Sequence, residues 1–98
     1  MQDLINKIIQ FREERNWGQY HNEKDLALSI SLEASELLEN FQWRSSEEAV
    51  AESRQNIKEE MADVFIYLLQ LADKMEIDLV DEAHKKMEKN AIKYPVTK

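Results

Sequence analysis

The chain has 98 residues, one domain's worth, since ordinary domains run to about 100–150 residues. It holds no cysteine, one glycine and one proline, which excludes disulfides, thiolate metal sites, a cysteine nucleophile and any Gly-rich phosphate loop. Thirteen Lys and Arg against twenty Asp and Glu leave a net charge of −7, the wrong sign for a nucleic-acid surface; an anionic small substrate fits only if a metal cation bridges acid to acid.

Leu4, Ile5, Ile8, Ile9 and Phe11 recur at helical spacing and predict a first amphipathic helix over about residues 3–15. The segment from Asn16 to Asn22 breaks the pattern and is expected to be a loop, with Asn22 as N-cap of a second helix reaching about Asn40. Ser45 and Glu48 have capping-box spacing and start further helix, with a break expected near Ser53 because Glu47 to Glu52 lacks a strong apolar stripe. From Val64 to Ala72 no residue is charged, so that part of the third long helix is expected to be buried. Asp78 caps a last helix of about fifteen residues, which Pro95 terminates. No strand pattern occurs, and four main helices imply an all-α, four-helix-bundle-like domain spanning residues 1–98.

No apolar stretch approaches the roughly 20 residues of a membrane span, and the N-terminus lacks a signal-peptide pattern. A cytoplasmic protein with no membrane or nucleic-acid partner is expected. The second helix is apolar on more than one side: Leu26, Ile30, Leu37 and Phe41 form one stripe, with Leu28, Leu32 and Leu38 off it. A helix of that kind is buried on more than one side. In so short a chain this predicts a homodimer or homotetramer.

Acidic residues carry the chemistry. Glu60 and Asp63 lie at i and i+3 on the third long helix, with Tyr67 one turn further, and Glu33 and Glu36 repeat the spacing among the leucines of the second helix. Facing each other across a bundle, the pairs would bring four carboxylates to one point, which like charges forbid unless a cation joins them. Oxygen-only donors select a hard ion, Mg²⁺ or Mn²⁺. The spacing alone is weak, because Glu36/Glu39, Asp73/Glu76 and Asp78/Asp81 share it and most such pairs are solvated helix faces.

Glu33-x-x-Glu36, twenty-three residues, then Glu60-x-x-Asp63 resembles the signature of the MazG-like all-α nucleotide pyrophosphohydrolases. Phe11 to His21 (FREERNWGQYH), Glu36 to Trp43 (ELLENFQW) and Lys86 to Pro95 (KMEKNAIKYP) are similar to segments of the dCTP pyrophosphatase branch of that family. The resemblance implies Mg²⁺-dependent hydrolysis of a (deoxy)nucleoside triphosphate to the monophosphate and pyrophosphate, a house-cleaning reaction on dCTP-like or non-standard nucleotides. It implies an oligomer whose sites are completed by a neighbouring chain, and it matches Glu33, Glu36, Glu60 and Asp63 to the metal ligands. Water would attack the α-phosphorus in line, with one carboxylate as general base and Glu59 as a spare candidate. Ile8 stands where vertebrate members of the branch carry a pocket histidine, which leaves a broader pyrimidine or mixed preference open.

Aromatic faces stack on nucleobases, and the resemblance places Trp17, Tyr20, His21, Trp43 and Tyr67 around the nucleotide. Phe41 is expected in the core. Lys86, Asn90 and Lys93 form a stripe on the last helix, ordinarily a solvated face; the adjoining Lys-Tyr-Pro match implies contact with the β- and γ-phosphates. His84, three residues after Asp81, supplies half of a di-iron motif whose second half is missing, and is expected to be a surface or interface residue. The rival from another class is a non-catalytic acidic helical module that dimerises or binds a basic partner.

Overall fold

A computed structural model describes residues 1–18 and 21–97. Among them every regular element is a helix: α1 (Gln2–Glu14), α2 (Glu23–Glu39), α3 (Ser46–Glu52), α4 (Arg54–Lys74) and α5 (Leu79–Lys93). The boundaries follow local chemistry. Asn22 Oδ1 accepts the Asp25 N–H at 2.8 Å, Ser45 Oγ that of Glu48 at 3.2 Å, and Asp78 Oδ1 that of Asp81 at 3.0 Å, each satisfying a backbone donor that a helix start leaves open.

With one glycine in the chain, left-handed positions fall to other residues. Asn16 (φ 56°) and Glu76 (φ 55°) close α1 and α4. In both places the backbone makes the paired bonds of a Schellman motif: Trp17 N–H to Arg12 O with Asn16 N–H to Glu13 O, and Ile77 N–H to Ala72 O with Glu76 N–H to Asp73 O. Trp43 is the third left-handed residue (φ 63°), an unusual conformation for a bulky side chain.

The long helix α4 is the organising element. It packs most extensively on α2 and less on α1 and α3. The pairing with α2 is antiparallel, since His21 meets Tyr67 at one end and Asn40 meets Asn56 at the other. The second contact belongs to a polar clamp. Asn56 Nδ2 donates to Asn40 Oδ1 at 2.7 Å, and Arg44 donates to Asn40 O, to Ser53 Oγ at 2.7 Å and to Glu52 at 3.1 Å. This network fills the expected break at Ser53 and joins the end of α2 to the start of α4.

The buried apolar set is small: Ile8, Leu26, Ala49, Leu69 and Ala72. Of the uncharged run Val64 to Ala72, Leu69, Gln70 and Ala72 are buried, Phe65 is exposed, and the rest are half-buried. The chain exposes 7903 Å², against about 5,800 Å² for a compact monomer of this mass. Its radius of gyration is 16.5 Å, against about 13 Å for a compact chain of this length. The helix α5 accounts for part of the excess, because it makes only marginal contact with the other helices. Leu28, Leu32 and Leu38, the off-stripe leucines of α2, are exposed, as are Met87 and Ile92 of α5.

Candidate functional site

Antiparallel packing of α2 on α4 sets the Glu33/Glu36 turn opposite the Glu60 turn. One carboxylate oxygen from each of Glu33, Glu36 and Glu60 falls within 4.8 Å of the others. Asp63, one turn beyond Glu60, lies outside that triplet and is exposed, but its charge acts on both Glu33 and Glu60.

The electrostatics record the crowding. Burial, then a hydrogen bond with Glu36, then the charges of Glu36, Asp63 and Glu60 push Glu33 up from the usual carboxylate range to about 7. Burial likewise raises Glu60, helped by the charge of Glu36 and a hydrogen bond to it. Tyr67 is raised by burial and by the charges of Glu33, Asp63 and Glu36. Among the described residues none of the four carboxylates has an ion-pair partner. Glu33 Oε2 and Glu60 Oε2 are buried with no hydrogen-bond partner. Oxygen donors that repel each other and lack partners fit a hard divalent cation.

Beside this cluster lies a cavity of about 370 Å³ between α1 and α4. Trp17, His21, Asp63 and Tyr67 line it, so Asp63 and Tyr67 border both features. The rings follow one another: Phe11 edge-on to Trp17 (5.7 Å between centroids), Trp17 to His21 (6.4 Å), and His21 edge-on to Tyr67 (6.4 Å). Arg15 covers the outer end, 3.5 Å above the Phe11 ring. The Schellman turn at Asn16 is what turns Trp17 back towards the cavity.

Other sequence-derived candidates stand elsewhere. Trp43 is 100% exposed on the turn after α2 and does not line the cavity. Lys86, Asn90 and Lys93 lie on α5, which barely touches α2 or α4; Lys93 Nζ sits 5.3 Å from the Tyr94 ring centre. Tyr20 lies outside the described residues. Phe41 is half-buried, His84 is exposed, and Asp81 pairs with Lys85 at 3.0 Å.

Two cavity residues, Arg12 and Gln70, went unnoticed in the sequence. Both carried a signal. Gln70 is the single amide in the uncharged run of α4, and Arg12 continues the apolar Leu4–Ile8 stripe of α1 at the next i+4 position.

The family model of the MazG-like family matches residues 28–98. The chain belongs to the MazG-like family. It is 36% identical to dCTP pyrophosphatase 1 of Mus musculus over 101 residues, covering 98% of this chain and 59% of that protein. It is 34% identical to the Homo sapiens protein of the same name over 100 residues, covering 97% of this chain and 59% of that one. The chain thus spans about three-fifths of the length of these curated relatives. The crystal structure of a pyrophosphatase from Archaeoglobus fulgidus superposes with a TM-score of 0.93 at 47% identity, covering 98% of this chain and 93% of that one. The family and the all-helical fold accord with the sequence reading.

Proposed function

We propose that this chain hydrolyses (deoxy)nucleoside triphosphates to the monophosphate and pyrophosphate, with Mg²⁺ held by Glu33, Glu36, Glu60 and Asp63. The observation that carries this reading is the convergence of three carboxylates, two of them with a buried oxygen left without a partner, at the edge of an aromatic-lined cavity. Such a site takes a metal-bridged polyphosphate at one end and a flat ring at the other. Relatives named dCTP pyrophosphatase and a structural neighbour named pyrophosphatase support it. Bound Mg²⁺ would supply charge to stabilise the developing negative phosphate oxygens and would lower the pKa of water; Mn²⁺ offers the same chemistry.

The chain's own residues do the rest. Trp17, His21 and Tyr67 hold the base by stacking and edge contacts. One of the four carboxylates, or the adjacent Glu59, would take up the proton that water loses during attack. Hydrolysis severs the bond between the α- and β-phosphates, so water supplies one oxygen to the monophosphate and pyrophosphate leaves.

A homodimer or homotetramer belongs to the same proposal. Trp43, Tyr20 and the stripe of Lys86, Asn90 and Lys93 would complete a site on assembly, the stripe meeting the terminal phosphates. A nucleotide house-cleaning role in the cytoplasm fits a cysteine-free chain. Among the described residues, no helix is long and apolar enough to cross a membrane. The deciding experiment is a pyrophosphate-release panel over the common dNTPs and NTPs, with and without Mg²⁺. Release that requires Mg²⁺ is expected; an inert protein that nonetheless binds a basic partner would favour the non-catalytic module.

A further inference from the structure

Buried polar atoms without a hydrogen-bond partner among the described residues fall at two adjoining places. Glu33 Oε2 and Glu60 Oε2 belong to the carboxylate cluster; Arg12 Nε and Nη1, His21 Nδ1 and Gln70 Oε1 all belong to residues that line the neighbouring cavity. Native structures pair nearly all such atoms, and an unpaired buried one is costly. Arg12 and Gln70 are each only 7% exposed. The Arg12 guanidinium is held by ion pairs of its Nη2 alone, at 3.6 Å to Glu13 and 3.9 Å to Asp73, so its other nitrogens keep their donor capacity. Hydrogen-bonding atoms kept from water and left without partners beside a cavity of about 370 Å³ are the mark of a site whose ligand supplies the partners.

We propose that Arg12 and Gln70 select the nucleotide base, and that they accept pyrimidines of both the 4-amino and the 4-oxo kind in preference to purines. The proposal rests on the nucleotide reading above and names its substrate class. Arginine offers donors only, so it needs a carbonyl oxygen or a ring nitrogen; the Gln70 amide offers one oxygen acceptor and one NH₂ donor and can be turned end for end. Cytosine presents one donor (the 4-amine) and two acceptors (N3 and O2) along its pairing edge. Uracil and thymine also present one donor (N3–H) and two acceptors (O4 and O2). In each case Gln70 Oε1 accepts the single donor and Arg12 donates to O2, which all three bases share.

Purines fit less well. Guanine offers one acceptor and two donors on the same edge, leaving an N–H without an acceptor. Adenine presents a 6-amine and N1 that the Gln70 amide can match, but a C–H where the pyrimidines present O2, which leaves Arg12 unpaired. A site built to hydrogen-bond its ligand rejects an analogue that leaves its buried groups unpaired. Ile8, on the same cavity wall, adds no polar group that would separate cytosine from uracil.

The test compares wild type with Gln70→Leu in the presence of Mg²⁺. It measures kcat/KM for dCTP, dUTP, dTTP, dATP and dGTP, and calorimetric binding of dCMP, dUMP and dAMP. In wild type, dCTP and dUTP should agree within about threefold and exceed both purines by about tenfold or more. Leucine replaces an unpaired buried acceptor with an apolar side chain of similar size, so Gln70→Leu should fold, and its pyrimidine preference should shrink to about threefold or less. Turnover whose base preference is unchanged in Gln70→Leu overturns the proposal and leaves the pyrophosphohydrolase reading standing. Pyrimidine-selective monophosphate binding that Gln70→Leu abolishes, with no turnover of any triphosphate, upholds the proposal and overturns that reading. Absence of both binding and turnover overturns both. A wild type that prefers a purine, or one pyrimidine over the other by more than about tenfold, overturns the proposal without any variant.

Discussion

Glu60 and Glu33 are half-buried carboxylates whose buried oxygens have no partner, and each feels the charge of Glu36 and Asp63. Removing one of those charges relieves repulsion in the metal-free chain while deleting a ligand. Glu60→Gln should therefore keep its helical circular dichroism and hold or raise its melting temperature, yet lose turnover by about a hundredfold or more. Helicity lost, with activity retained in the folded fraction, would remove Glu60 from the metal site. Glu33 makes the second prediction. Its folded pKa of about 7 lies above its usual 4.5, so between those values the folded chain holds a proton that the unfolded chain has released. Stability from this group is fully present below the lower value and is lost as pH rises through the upper one. Without divalent cation, wild type should lose melting temperature relative to Glu33→Gln between about pH 5 and pH 7.5, and saturating Mg²⁺ should cancel the loss. Parallel melting curves for the two proteins across that range would show that Glu33 is not perturbed.

At the scale of elements, the distance between the two acidic turns depends on how α2 crosses α4. The clamp of Asn40, Arg44, Ser53 and Asn56 sets that crossing one turn away from Glu36 and Glu60. Arg44 carries most of it, reaching Asn40 O, Ser53 and Glu52 together. Arg44→Ala should cost about 1–3 kcal/mol in urea unfolding, since it leaves part-buried acceptors unpaired. It should also weaken Mg²⁺ binding by calorimetry, whereas Arg44→Lys should recover part of both. Unaltered Mg²⁺ affinity in a destabilised Arg44→Ala protein would confine the clamp to a folding role.

At the scale of the whole molecule, the single chain is loosely packed. It exposes far more surface than a compact chain of its mass, and α5 lies nearly free of the other helices. A cleft of about 800 Å³ runs between α1, the end of α4 and the start of α5, walled by Ile5, Phe65, Leu69, Ile77 and Val80. Apolar surface on this scale marks an interaction site, and a symmetric partner would cover it. Light scattering should report a dimer or tetramer at micromolar concentration, and specific activity should fall on dilution into monomer. Trp43, fully exposed in one chain, should affect KM on substitution with alanine only in the assembled form. A fully active monomer would refute both the assembly and the shared site.

Helix existence, type and boundaries were legible in the sequence, because caps and 3.6-residue periodicity are local properties: Asn22, Ser45 and Asp78 cap where their side chains predict. The acidic pairs were legible too, as two i, i+3 spacings on apolar helices. That Glu33, Glu36 and Glu60 converge while Asp63 stands one turn off was decided only by the antiparallel register of α2 on α4. Such register is set by side-chain packing between residues far apart in sequence, which no local pattern encodes. The same holds for Arg12 and Gln70: each looks like an isolated polar residue on an apolar face, and only the packing of α1 on α4 brings them to one cavity. Trp43 and the Lys86 stripe mark the opposite limit: in the single chain the ring is exposed and the stripe's helix barely touches the others, and the role proposed for both depends on assembly.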